Sequence, residues 1–161
     1  MGCYRTILAA VDGSNDAHAA LRHAAALARD LHARLVVLTV VPLPQYVGGI
    51  GAGATAVADL QGLMARELHQ AVDALPSDVG VEARLVKGRA ADRILETADE
   101  CRCDLIVMGF RGHGRLRQAV RGSVADTVAR NSERPVLLVR AECTPPSTSA
   151  VAASLTEAGN S

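Results

Sequence analysis

Between Leu105 and Ala125 the chain carries no acidic residue, while Arg111, His113, Arg115, Arg117 and Arg121 fall within eleven positions. The whole chain is neutral, with 17 basic and 17 acidic residues, so this excess of positive charge marks a local site for an anion. The same stretch holds Gly109, Gly112, Gly114 and Gly122, and Ser123 follows at once. Glycine lets backbone N–H groups turn inward and approach an oxyanion closely, and a helix N-terminus adds unpaired donors and partial positive charge. Phosphate is the anion that suits this chemistry. The fourteen residues from Gly109 to Gly122 also exceed the roughly two to six usual between a strand and a helix, and connections of that length are commonly functional or unstructured. The competing reading is an ordinary connection whose arginines are simply solvated.

Other chemistries find less support. The sole lysine, Lys87, is followed by Gly88, so the G-x-x-x-x-G-K-[ST] phosphate loop is excluded. Neither G-x-S-x-G nor H-E-x-x-H occurs. Cys3, Cys101, Cys103 and Cys143 have the spacing of neither a disulfide framework nor a zinc knuckle, which points to a reducing compartment. Met1-Gly2-Cys3-Tyr4-Arg5-Thr6 fits the myristoylation pattern M-G-x-x-x-[ST], but a strand pattern begins at once and leaves little arm to present a lipid. No apolar run reaches the roughly 18 residues of a membrane span, and no signal peptide precedes the first strand. The expectation is a cytoplasmic protein with neither membrane nor nucleic acid as partner. Of the five histidines, only His113 falls in the anion stretch, and His18, His23, His32 and His69 read as surface or boundary residues of helices.

The elements that must position this stretch are legible from periodicity. Tyr4 to Val11 and Arg34 to Val41 are mostly apolar runs, the pattern of strands buried on both faces. Between them Ala17, Ala20, Leu21, Ala24, Leu27, Ala28 and Leu31 recur at helical steps, with Ser14 as candidate cap. Gly48 to Gly53 reads as a loop, and Leu60 to Leu75 as a helix face ended by Pro76, with Met64 in the core. Val81 to Val86, Asp104 to Met108 and Pro135 to Arg140 read as strands, and Ala91 to Cys101 and Ser123 to Asn131 as helices. Strands alternating with helices imply a five-stranded parallel sheet with helices on both faces, a single-domain α/β sandwich. Ligands of such sheets sit beyond the carboxyl ends of the strands where strand order reverses. Residues 1–140 form the expected domain, and 141–161, rich in Ser, Thr, Ala and Pro, an expected disordered tail.

The arrangement Gly109-x2-Gly112-x9-Gly122-Ser123, opened by the strand DLIVMG and closed by a helix plus PVLLV, resembles the universal stress protein family, whose ATP-binding members carry G-x2-G-x9-G-[ST]. The likeness covers residues 4–140 and includes the aspartate directly after the first strand. It implies a Rossmann-like fold, of the adenine nucleotide alpha hydrolase-like kind, with sheet order 3-2-1-4-5. The ends of the first and fourth strands, at Asp12 and Gly109, would then lie together. It further implies that Val11 and Asp12 contact adenosine, with Asp12 on a ribose hydroxyl, and that the Val40 backbone pairs with the adenine edge. Met108 and Gly109 would border the ribose, Arg111 would sit in the phosphate loop, and Gly112, Gly122, Ser123 and Val124 would hold the phosphates. Mg2+ would travel with ATP. Phe110 and Arg121 depart from the family's usual residues and bear on affinity and loop position. The family also implies a homodimer through the fifth strand, Val136 to Val139. The expected function is an ATP-binding regulator of the stress response, with a slow ATPase or a structural dimer without nucleotide as alternatives.

Overall fold

The computed structural model describes residues 4–43, 54–111 and 123–142. Its elements are β1 (Thr6–Ala10), α1 (Asn15–Leu31), β2 (Arg34–Val41), α2 (Ala54–Asp73), β3 (Val81–Lys87), α3 (Ala90–Glu100), β4 (Leu105–Gly109), α4 (Val124–Asn131) and β5 (Val136–Val139). All described strand pairs are parallel, and the sheet order is β3-β2-β1-β4-β5. Residues Gly48 to Gly53 and the stretch 143–161 lie outside the described residues.

Alternation along the central strands divides the core in two. Ile7, Ala9, Leu35, Val37, Leu105 and Val107 are buried together with α1 and with Leu68 of α2. Leu8, Ala10, Val36, Leu38, Ile106 and Met108 share the opposite layer with α3 and α4. Burial on both faces is why these strands read as continuous apolar runs. Asp104 ties the start of β4 to that of β1, accepting hydrogen bonds from Arg5 N at 2.8 Å and Thr6 N at 2.9 Å. Ser14 caps α1 as expected, its Oγ accepting from Ala17 N at 3.2 Å.

Helix α2 differs from its sequence-based bounds. It begins at Ala54, six residues before the first large aliphatic of the stripe, and its helical span closes at Asp73. Three of the six residues Ala54 to Asp59 (ATAVAD) are alanine, the best helix former, and none is a large apolar residue, so periodicity is silent over this turn.

Cys103 lies in the core layer of α3 and α4, and Cys101 is half-buried at the end of α3. Burial, with the neighbouring Cys101 thiol adding to it, pushes the Cys103 thiol up to about 12. A thiol with that value is ionised in only about one molecule in ten thousand at pH 8. Native alkylation with iodoacetamide at pH 8 should therefore leave Cys103 unmodified while Cys101 reacts, and peptide mass spectrometry separates the two. Extensive labelling of Cys103 before unfolding would contradict the packing around it.

Candidate functional site

Strand order reverses between β1 and β4, which pair from Ile7↔Leu105 to Ala10↔Met108. Their carboxyl ends thus open side by side, and the chain at Val11-Asp12 leaves next to that at Gly109. Gly13 (φ 80°) makes the turn after β1, a left-handed conformation that favours glycine. Within it Asp12 Oδ1 accepts from Ser14 N at 3.0 Å, while the side chain remains exposed.

Val40 sits beyond the last paired residue of β1. Even-numbered residues of β2 turn their backbone toward β1: Arg34 N donates to Arg5 O, and Leu38 O accepts from Val11 N at 2.9 Å. Odd-numbered residues turn toward β3, as Leu35 N does to Gly80 O and Val41 O from Gly88 N. By that alternation the N–H and C=O of Val40 both point to the β1 side, two residues past the Ala10↔Leu38 pair. A backbone donor and acceptor side by side are what a purine edge requires. A shallow crevice opens on the α1 and α2 face of this end, lined by Val11, Asp12, His18, Thr39, Met64 and Leu68. His18 is exposed, as its reading as a surface or boundary residue has it, and lines this crevice, whereas Met64, read as core, is only half-buried and lines it too. The missed signal is position, since His18 falls in the first turn after the Asp12 turn and Met64 faces it from α2.

Met108 and Gly109 play different parts. The Met108 side chain is buried in the layer of α3 and α4, so only its backbone faces the strand end. Gly109 lies against the first turn of α1, where a Cβ would fall 2.8 Å from Ala17 N and 2.9 Å from the Asp16 carbonyl carbon. Packing alone demands glycine there.

Ser123 is the N-cap of α4, and its Oγ accepts from Asp126 N at 3.1 Å. A hydroxyl that accepts through a lone pair keeps its proton to donate, so a capping serine can also give a hydrogen bond to an anion. The first-turn N–H groups of Val124 and Ala125 have no partner within the helix and point the same way. Ala125 belongs to the same buried layer as Ala10 and Met108, so α4 starts on the α3 side of the sheet. Val124 is 40% exposed. Gly112 and Gly122, like His113 and Arg121, lie outside the described residues.

Arg111 is held by a group that the sequence reading did not single out. Asp16, in the first turn of α1, is only 5% exposed. Its Oδ2 accepts from Arg111 N at 3.0 Å and from Arg111 Nε at 3.2 Å, and its Oδ1 from Ala141 N at 2.8 Å. Burial pushes the Asp16 carboxyl up, but the Ala141 and Arg111 N–H groups and the Arg111 guanidinium outweigh it and hold the carboxyl below its ordinary value. Phe110, one of the departures from the family pattern, lies against the end of β5 and the residue after it: its N donates to Val139 O at 2.8 Å, and the Arg140 guanidinium lies 4.4 Å from its ring centre.

Residues 3–140 match the model of the universal stress protein family. A universal stress protein of Thermus aquaticus is 36% identical over 138 residues, covering 85% of this chain and 99% of that one. Among solved structures, the universal stress protein of Archaeoglobus fulgidus in complex with dAMP is 30% identical, with a TM-score of 0.61 over 85% of this chain and 98% of that one. A universal stress protein in complex with cAMP is 27% identical, with a TM-score of 0.64 over 85% of this chain and 97% of its own. With the expected sheet order in place and the match spanning the whole β1 to β5 body, the chain belongs to the universal stress protein family.

Proposed function

We propose that this chain binds ATP across the ends of β1 and β4, and that bound nucleotide sets its contacts as a cytoplasmic homodimeric regulator in the stress response. The observation that carries the reading is the strand-order reversal between β1 and β4, at whose open end the Asp12 turn and the backbone of Val40 lie; the capped start of α4 at Ser123 would supply N–H donors for the phosphates. Two relatives whose structures are complexes with adenine nucleotides, dAMP and cAMP, add support.

On this reading Val11 and Asp12 meet the adenosine, with Asp12 accepting from a ribose hydroxyl. The N–H and C=O of Val40 pair with the adenine edge, and the backbones of Met108 and Gly109 border the ribose. Gly112, Gly122, Ser123 and Val124 hold the phosphates through N–H groups and the Ser123 hydroxyl, and Arg111, its guanidinium paired with Asp16 and Glu142, opens that loop. Mg2+ is carried by the phosphates, since a triphosphate provides its oxygen ligands. The domain ends near residue 140, and 141–161 act as an appended tail. Among the described residues no helix is long and apolar enough to cross a membrane.

The test is direct. Calorimetric titration of the purified chain with ATP and Mg2+ should give saturable binding at one site per chain, and nucleotide carried through purification should appear by mass after denaturation. Heat without saturation, together with nucleotide-free protein, would overturn the assignment.

A further inference from the structure

The carboxylate of Asp16 joins two parts of the chain that the nucleotide reading treats separately. Arg111 begins the connection from β4 to α4, and Ala141 lies just after β5. They are 95 and 125 residues away from Asp16 in sequence, yet both give it their backbone N–H. The surrounding contacts close the same knot. Ser14 Oγ donates to Arg111 O at 3.3 Å, Phe110 N to Val139 O, and the outer Arg111 nitrogen Nη2 reaches Glu142 at 3.4 Å. With both its N–H and its C=O engaged, the Arg111 backbone is held at the end of β4.

We infer that Asp16 is a positioning residue that couples nucleotide binding beside Arg111, at the end of β4, to the chain leaving β5. The inference rests on the nucleotide reading of that strand end. Three donors converge on two oxygens, and only a carboxylate accepts them all, because an amide in its place would turn an NH2 group toward at least one of them. Releasing a nine-tenths-buried carboxylate from its donors is costly, so Arg111 and Ala141 stay docked or come away together. A nucleotide that binds the docked form of Arg111 thereby favours the docked form of Ala141, and the coupling is reciprocal. Because Ala141 lies at the exit of β5, the occupied state reaches the edge of the sheet.

The test uses the full chain and its Asp16→Asn variant, with Asp78→Asn as a control that removes an exposed carboxylate paired with Arg29. Hydrogen exchange at the Ala141 amide is followed with and without ATP, and ATP affinity is measured by calorimetry. In the wild type and the control, ATP should slow exchange at Ala141 about tenfold. In Asp16→Asn, ATP affinity should fall about tenfold and exchange at Ala141 should lose its response to ATP. A wild type that binds ATP while Ala141 exchange stays unchanged overturns the coupling alone, without any variant. An Asp16→Asn chain with wild-type affinity and an intact ATP response does the same. A wild type that binds no nucleotide overturns the function proposed above, and the coupling with it.

Discussion

Replacing Gly109 with alanine will lower the thermal midpoint by roughly 10 °C and weaken ATP binding as well. The added Cβ would lie 2.8 Å from Ala17 N, 2.9 Å from the Asp16 carbonyl carbon and 3.0 Å from Asp16 Cβ. Two of those atoms are helix backbone, so no side-chain rotation relieves the clash, and either the end of β4 or the first turn of α1 must move. That turn is fixed from several directions. Ala17 N is the donor in the Ser14 cap, and Asp16 holds Arg111 and Ala141. Forced overpacking costs about 1–3 kcal/mol and loss of a serine cap about 1 kcal/mol, so about 3 kcal/mol is expected. Differential scanning calorimetry and urea titration of both forms measure it. A midpoint within about 2 °C of the wild type would mean that β4 and α1 are not in this contact.

This glycine shows how sequence and structure divide the explanation. From the sequence, Gly109 reads as a phosphate-loop glycine because it opens a glycine and arginine stretch. The structure gives it a second reason, the approach of a helix of small residues to a strand, and that reason holds with or without ligand. The strands were legible because a parallel sheet buried on both faces needs unbroken apolar runs, and Arg34 to Val41 is read with the observed bounds. The strand order was not readable from periodicity, which is indifferent to how strands are arranged, and came from the family resemblance. Asp16 escaped notice for a different reason. An acid in the first turn of a helix is an ordinary complement to the helix dipole. Its burial was nonetheless written in the spacing, since Asp16, Ala20 and Ala24 stand four residues apart on the stripe that packs inward. The partners of that carboxylate, 95 and 125 residues away, come only from the fold.

Leu138→Pro will convert the proposed dimer to monomers while Leu138→Ala leaves it dimeric. The two edges of the sheet are built differently. β3 carries Glu82, Arg84 and Lys87, with Glu82 bound to Arg84 at 2.7 Å and to Arg34 at 3.3 Å, and charged edges resist pairing with another strand. β5 is Val-Leu-Leu-Val without a charge, and Leu137 is 36% exposed. Such an edge is suited to continuing the sheet into a second copy. Its hydrogen-bonding sides can be told apart. Pro135 O accepts from Ile106 N and Val139 O from Phe110 N, so odd-numbered residues of β5 face β4 and Val136 and Leu138 face outward. Proline at 138 therefore removes an outward N–H and leaves the β4 ladder intact. Two-fold symmetry deletes the donor twice, once in each copy. At about 1 kcal/mol net for each lost bond, and more where an acceptor is left unpaired in the interface, the dissociation constant should rise by about a hundredfold or more. Leu138→Ala, which trims the side chain and keeps the N–H, separates loss of packing from loss of the donor. Sedimentation equilibrium over a concentration series gives the constants for all three chains. Equal constants for wild type and Leu138→Pro would move the interface away from β5, and a wild type monomeric throughout would remove the dimer from the proposed function.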